Sequence, residues 1–513
     1  MNLLETERAA LNTGLRPPRW SRVQEAIARH PLLATLYPLA SHSMIYLAGA
    51  VLLGLGNFVL VPMYTRFLTP SDFGAYALVE ISLLIAVTTT QMGLGTTYLR
   101  WYAETEPARR GEILASSVAA GSVAAAMGGA ILAVVMGGSL GREWIGGGTR
   151  IAWIFVPLVL FRNAQGIFFS SLQAAQRPVA YVLSAITRLL VLVPAGYWFV
   201  VLHGEGVRGV LHCWLAGDGA CLLILLVFCL PGMQLRVHKE LLGPMLRYGF
   251  PLVLSALMAL LLDGSGRYFL ARYQSLAEVG RYTVGIKITN ILSMGFLQPF
   301  GSAWAGAVFP IAHRPHAAIT YTKILGYALL VATLLAAMTI LFGPFLIRVF
   351  AGRSYAGVQK LLPWLLLPVV FRLLEYWSSL PIYLKYKTKW LGPLAATGTA
   401  LCIALNYVLV PRLGALGAAL AWSAALAASI CLTTAFGRRY YPLPFDLRTC
   451  GFAAGMWALA LAGSWVTASL EMRAGLEVSI GAAALLLSAC GFYFLWDVRT
   501  SKPLFTGNAY AAD

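Results

Sequence analysis

Charged side chains inside long apolar stretches are the residues of this sequence best suited to binding chemistry. The basic ones are Arg162, Arg188, Arg267, Lys287 and Arg372, and the acidic ones are Glu80, Asp218, Asp263 and Glu375. In lipid, a charge at the centre of such a stretch costs about 3 kcal/mol or more, so it faces either a wet cavity or a partner of opposite charge. Guanidinium groups in a wet cavity offer paired donors to phosphate or carboxylate groups.

The two interpretations, cavity lining and charge pairing, both have candidates. The candidates for a substrate cavity are Arg162, Arg188, Arg372 and Lys287; the candidates for pairing with them or for carrying a coupling proton are Glu80, Asp218, Asp263 and Glu375. Arg372 and Glu375 are three positions apart, a spacing at which helical side chains meet. Asp263 and Arg267 are four apart and meet the same condition. The sequence leaves open which charges line a cavity and which hold helices together.

The elements that must position these charges are membrane spans. Hydrophobic residues make up 59% of the 513 positions and charged residues only 11%, whereas soluble domains are about 25% charged. Apolar runs of about 20 residues, long enough to cross a bilayer, predict about fourteen transmembrane helices in an all-α fold. They are placed at 44–64, 75–97, 113–136, 151–171, 180–202, 210–230, 249–270, 284–309, 324–347, 361–384, 391–410, 414–436, 450–470 and 478–496.

Orientation follows from the distribution of Lys and Arg, which are enriched in cytoplasmic loops. With the N-terminus inside, the inner segments hold 22 of these residues and the outer loops 11, while the other five of the 38 lie inside spans. The sequence therefore predicts cytoplasmic termini, with a basic N-terminal arm at 1–43 and a tail at 497–513. This topology and attraction to anionic lipid explain most of the +18 net charge, so we predict contact with membrane lipids and no nucleic-acid partner.

An internal repeat divides the spans into two lobes. The pattern R-[FY]-x-[ST]-x-x-[DE]-x-G-x-Y begins at Arg66 and again at Arg272, 206 positions later. A second pattern, G-x-x-G followed by Trp, begins at Gly206 and again at Gly414, 208 positions later. Because the two offsets agree, we predict two six-helix units of the same orientation, as in many transporters.

The predicted units are an N-lobe at 44–230, a C-lobe at 249–436 and two appended spans at 450–496. In both copies of the first pattern an acidic residue, Asp72 or Glu278, stands at the start of a new helix, where it meets the positive end of the helix dipole. The glycines that follow, Gly74 and Gly280, permit a close helix approach or a tight turn.

The segments 62–76 and 278–282, together with the Gly93-Leu94-Gly95 that follows the first, resemble the polysaccharide transporter (Wzx-type flippase) family of the multidrug/oligosaccharidyl-lipid/polysaccharide exporter superfamily. The resemblance covers about residues 40–440. It implies two lobes that rock about a central cavity and move an undecaprenyl-pyrophosphate-linked oligosaccharide from the cytoplasmic to the periplasmic leaflet of a bacterial inner membrane. It also implies surface-polysaccharide assembly proteins such as a polymerase as partners. Many members have twelve spans, so the pair at 450–496 is a departure.

Two other classes compete with a flippase. A membrane glycosyltransferase or polymerase needs a substantial outer domain for sugar chemistry, and no predicted connection exceeds about 20 residues, so no enzyme is predicted. A cation-coupled drug exporter of the same superfamily is expected to have an acidic, aromatic pocket, whereas Arg is prominent within these spans. The sequence contains no Gly-rich phosphate loop and predicts no cofactor. It also predicts no metal site, because His313 and His316 stand in a loop without further ligands.

Overall fold

The computed structural model describes residues 59–145, 149–234, 236, 239–312, 316–444, 446–470 and 472–505. The predicted N-terminal arm at 1–43, most of the first span and the last eight residues lie outside this part of the chain. All regular secondary structure within it is helical.

The N-lobe contains nine of these helices. They are α1 (Val61–Phe67), α2 (Pro70–Gln91), α3 (Leu94–Glu104), α4 (Arg110–Gly137), α5 (Ser139–Ile145), α6 (Thr149–Ala152), α7 (Phe155–Ala174), α8 (Pro178–Gly196) and α9 (Val207–Cys229). The C-lobe and the appended segment follow. They contain α10 (Lys239–Tyr273), α11 (Leu276–Leu292), α12 (Gln298–Ala312), α13 (Ala317–Leu341), α14 (Gly343–Phe350), α15 (Leu362–Leu384), α16 (Leu391–Gly437), α17 (Leu447–Ser469) and α18 (Met472–Phe505).

The described helices account for thirteen of the fourteen predicted spans. Eleven helical segments are long and apolar enough to cross a membrane, and one of them, α16, contains two predicted spans. The run from α11 through the π-helical turn Ser293–Leu297 to α12 supplies the eighth span. The helical part of the chain extends to Phe505, so the first residues of the predicted tail continue α18.

The second sequence pattern has the same backbone conformation in both lobes. Gly206 has φ 59° and ψ −133°, and Gly414, at the kink inside α16, has φ 57° and ψ −134°. Only glycine adopts this conformation readily, and it turns the chain from one span into the next. The two glycines therefore make equivalent turns, as the predicted repeat of two units requires.

The first pattern places the two lobes in direct contact. Thr69 caps α2 with Asp72 in a reciprocal pair of hydrogen bonds, and Ser275 caps α11. The two capped helices then cross at Gly74 and Gly280. A Cβ on Gly74 would lie 1.8 Å from the carbonyl oxygen of Leu276, so only glycine permits this approach.

We call the crossing of α2 and α11 the seam. The end of the molecule near the seam is predicted to be periplasmic, and we call it the outer end. Beside the seam, Thr65 donates a hydrogen bond of 2.7 Å to the carbonyl oxygen of Phe350 in the other lobe. The Phe73 and Tyr355 rings also meet across the lobes, with centroids 6.1 Å apart. At the inner end, the Arg100 guanidinium of the N-lobe lies over the Tyr248 ring of α10, 4.8 Å from its centroid.

The appended helices α17 and α18 belong to the C-lobe side of the molecule. Their buried side chains, including Met456, Ala460 and Leu486, pack with those of α13 and α15 in one apolar cluster. Large apolar side chains such as Leu223, Leu459 and Leu485 remain exposed on the periphery, as expected for a surface that faces lipid.

Candidate functional site

The N-lobe buries a cluster of two arginines around one carboxylate. Asp218 of α9 is fully buried and accepts hydrogen bonds of 2.7 Å from Arg162 of α7 and Arg188 of α8. Gln165 donates to the backbone carbonyl oxygen of Asp218 at 2.7 Å. The Arg162 guanidinium also lies over the Trp214 ring, 4.8 Å from its centroid. Three helices are therefore joined at one charged centre.

This N-lobe cluster carries one more positive than negative charge. Each arginine reaches Asp218 through its Nε atom, and neither makes a further hydrogen bond through its Nη atoms to the residues that the structure describes. The Arg162 side chain is 19% exposed, whereas Asp218 is fully covered. The cluster thus contains guanidinium donors that make no hydrogen bond to the described residues.

The C-lobe cluster has the opposite balance. Arg372 of α15 donates to both carboxylate oxygens of Asp263 of α10 at 2.6 and 2.7 Å, and to Glu375 at 3.2 Å. The Trp422 indole donates to Asp263 at 3.1 Å. The predicted pair of Arg372 with Glu375 is present. The second candidate pair, Asp263 with Arg267, forms no hydrogen bond or ion pair among the described residues, and Asp263 instead binds Arg372 on another helix.

Two of these charged groups line a cavity of about 580 Å³ between α10, α12, α15 and α16. Arg372 and Glu375 lie at its mid-membrane end, and the cavity extends toward the inner ends of these helices. Its wall also contains aromatic and hydroxyl side chains, namely Trp304, Phe309, Tyr376, Tyr383, Ser255, Ser379, Ser429 and Thr433. The volume falls within the range of about 300–1,000 Å³ typical of small-molecule sites. Arg372 thus both pairs and lines a cavity.

Lys287, the fourth predicted cavity residue, lies at the seam. Its Nζ donates to both carboxylate oxygens of Glu80 in the N-lobe, at 2.7 and 2.8 Å. The sequence did not indicate this pair because its members are 207 positions apart, one in each repeat.

Arg162 and Arg372 stand 210 positions apart, close to the offset of the repeat, yet their surroundings differ. Their carboxylate partners stand on non-equivalent helices, α9 for Arg162 and α10 for Arg372. The repeated tryptophans, Trp214 and Trp422, do contact the two clusters. The second sequence pattern contained them, and their repetition beside mid-span charges was the available signal.

No group of three or more His, Cys, Asp or Glu side chains that could hold a metal occurs in the described part of the chain. The seven cysteines are free, and Cys213, Cys221, Cys229 and Cys402 are buried among apolar side chains.

Two helical lobes that meet at a seam, with charged clusters inside membrane-spanning helices, define the fold of a multi-pass membrane protein. Solved structures of this type are similar to the chain. Lipid II flippase MurJ in an inward closed conformation matches with a TM-score of 0.63 and 14% identity, over 89% of this chain and all of that one. An inward-facing multidrug resistance MATE family transporter of the MOP superfamily matches with a TM-score of 0.60 and 16% identity, over 75% of this chain and 94% of that one. An outward-facing MATE family transporter matches with a TM-score of 0.52 and 16% identity, over 79% of this chain and 95% of that one.

The sequence family described as polysaccharide biosynthesis protein matches residues 40–316, which is more than half of the chain. The chain belongs to this family. Among curated protein sequences, none matches.

Proposed function

We propose that the protein is a flippase that moves an undecaprenyl-pyrophosphate-linked oligosaccharide from the cytoplasmic to the periplasmic leaflet, by alternating access, during surface-polysaccharide synthesis. The observation that carries the proposal is the excess positive charge of the N-lobe cluster. Asp218 neutralises one of two guanidinium groups, and the partly exposed Arg162 has donors left for a further anion. A pyrophosphate supplies oxygens in the geometry that a guanidinium fork binds.

Family membership supports the same substrate class, because the family is one of polysaccharide biosynthesis. The proposal places the protein in a bacterial inner membrane with both termini cytoplasmic. Its cargo would then pass to a polymerase and other assembly proteins. Lipopolysaccharide O-antigen, capsule and exopolysaccharide precursors all have the required chemistry, an anionic lipid headgroup that bears a glycan.

The test of this proposal is the leaflet in which the precursor accumulates when the gene is deleted. We expect surface glycan to disappear while the lipid-linked precursor persists at the cytoplasmic face, where impermeant reagents added to intact spheroplasts do not reach it. Precursor that becomes accessible from the periplasmic side would contradict the proposal, because the protein would then act at a later step.

A second candidate, a cation-coupled multidrug exporter, is favoured by the C-lobe cavity. Two carboxylates surround Arg372, so this cluster has one net negative charge, and Glu375 remains 45% exposed. A cavity with an exposed carboxylate and aromatic walls suits an organic cation. Deletion that leaves the glycan intact but increases retention of cationic dyes would favour this candidate, and loss of glycan with unchanged dye retention would exclude it.

A further inference from the structure

The ion pair between Glu80 and Lys287 joins the two lobes. Tyr76 donates a hydrogen bond of 3.0 Å to the same Glu80 oxygen that accepts from Lys287. Next to this pair, Ser82 of α2 and Tyr268 of α10 make a hydrogen bond of 2.7 Å across the lobes. The side chains of Lys287 and Glu80 are 12% and 19% exposed, so the pair is largely covered but not sealed.

A second cation, Arg267, acts on Glu80 of this pair and on Asp263. Arg267 is 92% buried, since its relative exposure is 8%, and its Nε atom lacks a hydrogen-bond partner in the described part of the chain. Its charge acts on Glu80 and on Asp263, yet it forms no ion pair with either among the described residues. A buried guanidinium that forms no direct ion pair is costly, so it favours an anion that makes hydrogen bonds with it.

The position of the pair relates it to opening of the outer end. Glu80 is ten residues from the start of α2, or about 15 Å at 1.5 Å per residue, and it lies five residues inside the predicted span 75–97, in the outer third of that span. The Gly74–Gly280 crossing lies between the pair and the outer end. Separation of α2 from α11 therefore has to break the ion pair, and it carries Lys287 and Arg267 away from Glu80 together because both belong to the C-lobe.

Lys287 and Arg267 both act on Glu80, and Arg267 also acts on Asp263. Glu80 has two oxygens, and both already bind Lys287. A pyrophosphate has more oxygens and more negative charge, and is able to satisfy Lys287 and Arg267 simultaneously. Glu80 thus occupies, in the closed state, the place that a stronger anion would take.

We propose that Glu80 is an internal competitor of the anionic substrate: it holds Lys287 to keep the outer end closed, and a pyrophosphate headgroup that binds Lys287 and Arg267 releases it and opens the seam. This proposal rests on the proposed function, whose substrate class it uses. It makes closure depend on the Glu80–Lys287 pair and makes opening depend on the charge of the headgroup.

The experiment measures the separation of the outer ends in purified protein in nanodiscs by double electron–electron resonance. Spin labels are placed at the exposed outer-end positions 203 and 412, in a background without the seven native cysteines. The added probes are undecaprenyl pyrophosphate, inorganic pyrophosphate and the uncharged alcohol undecaprenol. The variants are Glu80→Gln, Lys287→Met and their combination. Glu104→Gln is the control, because it removes an exposed carboxylate whose partner Arg100 lies on the same helix.

Without a probe, Glu80→Gln and Lys287→Met should each raise the ratio of open to closed molecules on the order of tenfold. The combined variant should open no further than either one, because a single pair is lost. Glu104→Gln should match the unmodified protein. Unchanged distances in both single variants, or additive effects in the combination, would overturn the proposal that the Glu80–Lys287 pair keeps the outer end closed. Failure of one single variant to insert still leaves the other and the probe series.

Undecaprenyl pyrophosphate should open the unmodified protein and have little further effect on Lys287→Met. If inorganic pyrophosphate opens the protein as much as undecaprenyl pyrophosphate does, the protein recognises the headgroup alone. If only the lipid form opens it, the protein recognises the headgroup together with the lipid chain. Both results support the proposal. Equal opening by undecaprenol, or no opening by any pyrophosphate, would refute the proposal that the headgroup competes with Glu80 for Lys287. The spin-label distances do not depend on glycan export. Failure of the proposed function would therefore appear in the export measurement, and failure of the Glu80–Lys287 proposal in the distances.

Discussion

The substitution Gly74→Ala tests whether the seam holds the outer end closed. The added Cβ would lie 1.8 Å from the carbonyl oxygen and 2.8 Å from the carbonyl carbon of Leu276. Both are backbone atoms of the other lobe, so no side-chain rotation relieves the clash. Reaching an ordinary contact of 3.4 Å requires a displacement of 1.6 Å, the difference between the two distances.

The magnitude follows from the cost of overpacking. Extra methyl groups in a well-packed interior cost about 1–3 kcal/mol, which corresponds to a change of about 5- to 150-fold in the equilibrium between closed and open molecules. Because α2 and α11 are themselves intact helices, we expect the protein to relieve this cost by parting the lobes. Gly280→Ala should act in the same direction, since its Cβ would lie 2.1 Å from the carbonyl oxygen of Pro70.

The assay is the same spin-label pair at the outer end, with Gly306→Ala as the matched control. Gly306 is an exposed helical glycine of α12, and a Cβ there meets no atom within 4 Å. Its substitution should leave the distances unchanged and, through helix propensity, stabilise the protein by about 0.5–1 kcal/mol. A closed distribution in Gly74→Ala equal to that of the control would refute the role of the seam.

The remaining predictions concern the buried charges and are read as amount of inserted protein and glycan export per inserted molecule. Arg162→Ala should insert normally, because Asp218 keeps Arg188 as its partner, but it should export glycan poorly. Arg162→Lys should restore export only in part. Full export by the alanine variant would contradict the cationic site. Asp218→Asn should lower abundance, because breaking a buried pair costs about 3–5 kcal/mol and two guanidinium groups lose their carboxylate; normal abundance would show that the cluster is not structural. Arg372→Ala should also lower abundance, and adding Asp263→Asn should restore it if their bidentate contact is the stabilising one.

The sequence was sufficient to predict the spans and the repeat, because both are local signals. Hydrophobic length marks each span, and the glycines at 206 and 414 mark a backbone conformation that few other residues adopt. The conformational freedom of glycine also drew attention to Gly74 and Gly280, for which the sequence indicated a close helix approach or a turn. The structure shows that each approaches the other, which spacing along the chain does not reveal.

The partners of the charges were not predictable from spacing. Arg372 and Glu375 share one helix, and their contact was among the predicted pairs. Lys287 and Glu80 meet only because the lobes pack together, and Asp218 joins three helices. A sequence shows which charges require a partner, whereas packing decides which partner each one finds.

Translocation by the purified protein tests the central claim most directly. The protein is reconstituted into liposomes that contain an undecaprenyl-pyrophosphate-linked oligosaccharide, and an impermeant enzyme that removes the exposed glycan reports the fraction in the outer leaflet over time. We expect glycan from the inner leaflet to become accessible in liposomes with protein and to remain protected in liposomes without it. Equal protection in the two preparations, with the protein shown to be folded and inserted, would contradict its assignment as a flippase.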